Sequence, residues 1–129
     1  MIHKIGLLVV RDNRLLLCRK GHGTTLLILP GGKPEAGESP EQALAREVRE
    51  ELGAGASAIE HFGEYEDEAA GEARRVRISL YTGVLDAEPV ASGEIAELIW
   101  FGAGDDRELI SPSLRRQILP DLLWRGILR

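Results

Sequence analysis

Cysteine is almost absent from this chain of 129 residues: the single Cys18 excludes an internal disulfide, and His3, His22 and His61 lack the close spacing of a zinc site. Long apolar runs are also missing. The main ones, Ile5 to Val10 and Leu26 to Leu29, fall far below the roughly 18 residues that a membrane span needs. No charged-then-apolar leader ends in a small-residue cleavage site, so a cytoplasmic location is expected. Aromatic residues are only 5% of the chain, which assigns Tyr81, Phe62 and Trp100 to packing before any base-stacking role. A basic excess is lacking too. The net charge of −5 argues against a nonspecific nucleic-acid coat, which gains affinity from many Lys and Arg contacts to phosphate. No linker or repeat divides the chain, so one domain over residues 1–129 is expected.

The charge is unevenly placed. Between Lys33 and Glu72 there are twelve acids, eleven Glu and Asp67, against Lys33, Arg46 and Arg49, giving −9 there and +4 elsewhere. Such a run is ordinarily a solvated helix face; a cation is the alternative. Around it the apolar pattern predicts strands at Ile2 to Val10 and Arg14 to Arg19, joined by a hairpin turn at Asp12-Asn13, and a third at Thr25 to Leu29. A helix is predicted from Ser39, with Pro40 at its first position and Gln42 in the capping-box place, to a stop at Gly53. Further strands are expected at Ala58 to Tyr65, Arg75 to Val84 and Glu97 to Phe101. A C-terminal helix follows Ser111-Pro112, kinked or restarted at Pro120. Interleaving of this kind predicts an α+β domain, a mixed β-sheet flanked by helices on both faces as an α/β/α sandwich.

On the 39–52 helix, Glu47, Glu50 and Glu51 fall within an arc of roughly 100 degrees, beside the apolar arc of Leu44, Val48 and Leu52. Like charges about 5 Å apart at an effective dielectric near 20 repel by roughly 3 kcal/mol per pair. Either the carboxylates take up protons or a hard divalent cation sits among them, and the cation is the favoured reading. Mg²⁺ keeps several waters and binds through a few carboxylates together with substrate phosphates. The glycine-rich stretch from Pro30 to Gly37 lets backbone approach a ligand, without the Gly-Lys-Ser/Thr of a P-loop.

The run Gly32-(five)-Glu38-(seven)-Arg46-Glu47-Val48-Arg49-Glu50-Glu51-Leu52-Gly53-Ala54 resembles the Nudix box, G-x5-E-x7-R-E-U-x-E-E-x-G-U with U a bulky aliphatic. Only Ala54 is a weak match. The strand into Pro30-Gly31-Gly32 and the segment Glu94 to Phe101 extend the likeness to nearly the whole chain, and with it the expectation of a Nudix fold. The resemblance implies hydrolysis of a nucleoside diphosphate linked to another group, by water attacking phosphorus, with Mg²⁺ or Mn²⁺ as cofactor. Carried over by position, it implies Glu50 and Glu51 as principal metal ligands, Gly32 in the same metal set, and Glu47 as ligand or general base. Arg46 then orients a neighbouring glutamate, and Glu38 is an auxiliary acid. Family members place the base either in the box or in a late loop; Glu94, after Gly93, ranks ahead of Glu97, which begins a strand.

For substrate phosphates the candidates are Arg19, Lys33, Arg75 and Arg77, with Arg19 and Lys33 first. The signatures that resemble ADP-ribose and diadenosine-polyphosphate hydrolases are absent from Ala69 to Ala73. The late asparagine of the MutT-like branch is absent as well, Asn13 being the only asparagine, so oxidised dGTP is unsupported, although a backbone group, Gln117 or Asp121 could serve instead. A MutT-like nucleotide pyrophosphohydrolase with an open leaving group is the reading. Two alternatives stand beside it: a non-catalytic nucleotide or metabolite sensor, which has no need of three crowded acids, and an RNA 5′-end pyrophosphohydrolase, disfavoured by the acidic charge. Nucleic acid and membrane partners are not expected, and the apolar tail from Trp124 to Leu128 suggests a homodimer.

Overall fold

Strand β1 (Ile2–Leu8) alternates between two interiors, sending Ile5 and Leu7 to one side and Leu8 to the other. In the computed structural model, which covers residues 1–129, it is followed by β2 (Val10–Arg11), β3 (Arg14–Lys20), β4 (Gly31–Gly32), helix α1 (Pro40–Leu52), β5 (Ala56–Glu68), β6 (Arg75–Leu85), β7 (Ile95–Phe101) and helix α2 (Leu119–Trp124). The same division runs along β3, where Leu15 and Leu17 face one interior while Leu16 and Cys18 face the other. Ala43, Leu44, Val48 and Leu52 of α1 close the second interior; Leu114, Ile118, Leu119 and Leu122 close the first. Each fully buried leucine contributes about 2 kcal/mol of transfer free energy. The layering is the α/β/α sandwich expected.

Two sheets form where the sequence pattern suggested one. The first runs β4-β1-β6-β5, with β1 and β6 parallel and the other pairs antiparallel; the second is the antiparallel set β2-β3-β7. The hairpin survives only at its tip. Asp12 and Asn13 take positive φ of 51° and 60°, which suits the primed turn, but after Val10 pairs with Leu15 the ladder parts and β1 crosses to β6.

Residues 25–29 are not a strand. Isolated bridges, Cys18 to Ile28 and Leu27 to Ile110, take the place of a ladder there, and the pairing resumes at β4, where Gly31 and Gly32 meet Gly6 and Ile5. A Cβ on Gly31, whose φ is +140°, would lie 2.0 Å from the Ile5 carbonyl oxygen, so the close approach requires glycine.

Helix α1 starts as expected: Ser39 accepts from the Gln42 amide, Gln42 accepts from the Ser39 amide, and Gly53 ends it in the left-handed region. The C-terminal helix differs. Residues Leu114–Ile118 form a π-helical turn before α2, with the Leu119 amide donating to the Leu114 carbonyl. Pro120 has no N–H for the carbonyl four residues earlier, and the widened turn precedes that gap. The tail folds back, burying Leu128 and leaving Trp124 exposed.

Candidate active site

Three neighbouring carboxylates on α1 are buried to different depths. The Glu50 side chain is 57% exposed, that of Glu47 is 16% exposed, and Glu51 as a residue is 6% exposed. The pairing of β4 with β1 aims the Gly31 amide at Glu51, donating to its Oε1 at 2.8 Å. Burial nevertheless pushes the Glu51 carboxyl up to about 7, and it raises Glu47 as well against the pull of Arg46. Gly32 adjoins Glu47 so closely that a Cβ there would lie 2.6 Å from the Glu47 carboxyl carbon.

Arg46 is the hub of this face. Its Nε and Nη2 donate to the two oxygens of Glu38 at 2.7 and 2.9 Å, its Nη1 to Glu47 at 2.9 Å, and its Nη2 also to the Lys33 carbonyl at 3.2 Å. Glu50 and Glu35 lie at 3.5 and 3.6 Å. The guanidinium holds Glu38 down to about 2. Arg46 thus offsets part of the carboxylate repulsion that the helix spacing alone would leave to a cation. Glu38 is committed to this pair.

The carboxylates of Glu47, Glu50, Glu51 and Glu94 line one polar cleft of about 410 Å³, which has no apolar lining residue. No three acidic, histidine or cysteine side chains converge on a single coordination point. The donor chemistry fits a hard divalent cation all the same. The oxygens are carboxylates raised by burial beside a glycine turn, and Mg²⁺ uses few protein ligands and keeps several waters.

The family model for the NUDIX domain matches residues 3–122. The chain belongs to the Nudix family. A Bacillus subtilis (strain 168) protein, whose provisional name is 8-oxo-dGTP diphosphatase, is 30% identical over 112 residues, covering 86% of this chain and 73% of that protein. The CTP pyrophosphohydrolase of Escherichia coli (strain K12) is 36% identical over 74 residues, covering 55% of each. The solved structure of a MutT NUDIX hydrolase from Burkholderia pseudomallei superposes with a TM-score of 0.75 at 25% identity, covering 88% of this chain and 92% of that one. This is a MutT-like Nudix hydrolase in sequence and fold.

The structure of this Nudix hydrolase brings some predicted residues to the cleft and leaves others away from it. Glu47, Glu50, Glu51, Gly32, Lys33 and Glu94 line the cleft. Glu94 stands 3.7 Å from His22, on a loop fastened to the end of α1 by the Ser92 amide donating to the Glu51 carbonyl. Glu97 instead pairs with Arg19 across β7 and β3, away from the cleft. Arg75 pairs with Glu66 at 3.4 Å and Arg77 with Glu64 at 3.2 Å, both across β5 and β6. None of these three arginines lines the cleft. Lys4 and Lys20 do, and sequence reasoning missed both. The available signal for Lys4 was a lysine interrupting an apolar strand; Lys20, at the end of β3, offered none.

Behind the cleft lies an apolar recess of about 50 Å³ lined by Ile28, Leu29, Val76, Ile78 and Leu114, with Ser111 and Ser113 the buried hydroxyls on its wall. It shares Lys4, Lys20, Gly31 and Gly32 with the cleft. The suggested stacking aromatics are engaged elsewhere: Tyr81 against His61, Phe62 under Arg125 and Trp100 under Arg11. Gln117 donates to Asp67, and Asp121 accepts from Tyr65. No helix is long and apolar enough to cross a membrane.

Proposed function

We propose that this Nudix hydrolase is a Mg²⁺- or Mn²⁺-dependent pyrophosphohydrolase of nucleoside triphosphates, releasing a nucleoside monophosphate and pyrophosphate. The observation that carries the reading is the shared wall between an all-polar acidic cleft and an apolar recess, which suits a ligand with phosphates at one end and a base at the other. The names of the Bacillus and Escherichia relatives, each of which specifies a nucleoside triphosphate, support it.

In this reading Glu50 and Glu51, with Glu47 and the Gly32 backbone beside them, would hold the cation. Its chemistry there would be charge neutralisation of the diphosphate and acidification of neighbouring water. Arg46 keeps Glu47 oriented through the bond at 2.9 Å. Glu94 accepts the proton of the attacking water. The water oxygen bonds to phosphorus, the bridging P–O bond breaks, and its electron pair leaves with pyrophosphate if the α-phosphorus is attacked or with the nucleoside monophosphate if the β-phosphorus is. Because Phe62, Tyr81 and Trp100 are engaged elsewhere, the recess holds the base by apolar contact, with the Ser111 and Ser113 hydroxyls on the same wall.

The test is incubation with Mg²⁺ against nucleoside triphosphates, ADP-ribose, dinucleoside polyphosphates, nucleotide sugars and a 5′-triphosphorylated RNA, with products identified by phosphorus NMR. Release of monophosphate and pyrophosphate from a triphosphate, lost in Glu51→Gln, supports the reading. If every substrate survives while one raises the melting temperature, the protein is a sensor. If only 5′-triphosphorylated RNA is cleaved, it acts on RNA ends.

A further inference from the structure

The chain has three lysines and thirteen arginines, and the structure uses the two residue types differently. Ten arginines form salt bridges with carboxylates. No lysine forms one. Yet Lys4, Lys20 and Lys33 all line the acidic cleft, where Glu47, Glu50, Glu51, Glu72 and Glu94 also lie. The planar guanidinium fork suits fixed carboxylates, whereas an ammonium on a flexible stem is a mobile point charge suited to phosphate. Lys4 is half-buried, and burial lowers its pKa while Glu72 and Glu51 act on it only from beyond ion-pair distance. A desolvated charge without a partner is one that an anionic ligand completes.

The lysines are also ordered along the site. Lys4 and Lys20 line both the apolar recess and the acidic cleft, so they mark the junction between the two. Lys33, just past β4, lines the cleft and not the recess. We propose that Lys4 binds the phosphate attached to the nucleoside and Lys33 binds the distal diphosphate, which fixes the direction in which the substrate lies across the site. This assignment rests on the nucleoside triphosphate reading given above. It adds the residue that reads each end of the chain of phosphates.

The two products separate the two ends. Dissociation constants for dGMP, CMP and pyrophosphate, each with Mg²⁺, are measured by titration calorimetry on the wild type, Lys4→Met, Lys4→Arg and Lys33→Met. Lys4→Met is expected to weaken both monophosphates about tenfold, the size of one charge-assisted contact, and to leave pyrophosphate within about twofold. Lys33→Met is expected to do the reverse, and Lys4→Arg to recover most of the monophosphate affinity. Methionine at position 4 removes an unpaired half-buried charge, so the melting temperature of Lys4→Met should not fall, which keeps the variant usable. Equal weakening of both products by both variants, or no change from either, would overturn the assignment. Binding is read without turnover, so a crossed pattern in the two variants alongside a wild type that hydrolyses no triphosphate would remove the proposed reaction and keep the lysine assignment. A wild type that hydrolyses triphosphates, with no crossed pattern in the variants, would do the opposite.

Discussion

Removing the charge of Glu51 should stabilise the metal-free protein at neutral pH. Glu51 is 6% exposed, and burial lifts its carboxyl from 4.5 to about 7. Below about pH 4.5 the group is protonated in the folded and unfolded chain alike, and its stabilising balance is fully present. Between about 4.5 and 7 the unfolded chain ionises while the folded chain keeps its proton, so the folded state binds more protons and stability falls as pH rises. Each tenfold difference in proton affinity is about 1.4 kcal/mol, so the full loss approaches about 3 kcal/mol, or roughly 10 °C in melting temperature for a chain of this length. Glutamine at position 51 does not titrate and still accepts from the Gly31 amide. The assay is a series of thermal melts in EDTA from pH 4.5 to 8. The Glu51→Gln protein should gain on the wild type progressively across that window and hold a constant advantage above it. A difference that stays flat with pH would refute the claim that burial of this carboxylate opposes its ionisation.

Three further outcomes follow from the same geometry. Gly32→Ala should leave the melting temperature within a few degrees yet lower kcat at least about tenfold, because the added Cβ displaces the mobile end of Glu47 and leaves the backbone in place; unchanged turnover contradicts it. Arg46→Met should destabilise the protein by about 1–3 kcal/mol in denaturant titration, since one guanidinium bonds both Glu38 and Glu47. It should also let the Glu38 carboxyl rise from about 2, as read by carboxyl carbon NMR. Arg75→Met and Arg77→Met should each leave kcat/KM for a nucleoside triphosphate within about twofold, because both side chains are exposed and paired to β5 rather than turned to the cleft.

The part of the site carried by one helix was legible in the sequence. Spacing alone places Glu47, Glu50 and Glu51 together, and Ser39, Gln42 and Gly53 mark the ends of the helix that does it, because helical periodicity and capping are local. What depends on contacts distant in sequence was not legible. The strand pattern of residues 25–29 yielded to the bridge at Leu27 and to the pairing of Gly31 and Gly32 with β1, and the split into two sheets depends on β1 meeting β6 more than 70 residues later. Arg19 and Lys20 are adjacent in the chain and half-buried alike, yet the first pairs with Glu97 on β7 while the second lines the cleft. Strand alternation sends neighbours to opposite faces, but only the partner strand decides which face holds the acids. The same limit hid Lys4 and the serine-walled recess, whose lining comes from β1, β6 and the segment after Ile110.

The proposed activity rests on the Glu47, Glu50 and Glu51 carboxylates of α1 binding a divalent cation in a cleft that also receives a nucleotide. Titration with Mn²⁺, followed by loss of the free-ion electron paramagnetic resonance signal, measures that occupancy directly. The wild type should take up Mn²⁺, and take it up more tightly with a non-hydrolysable nucleoside triphosphate present, while Glu50→Gln and Glu51→Gln should lose most of the affinity. Equal Mn²⁺ uptake by the wild type and both variants would contradict it.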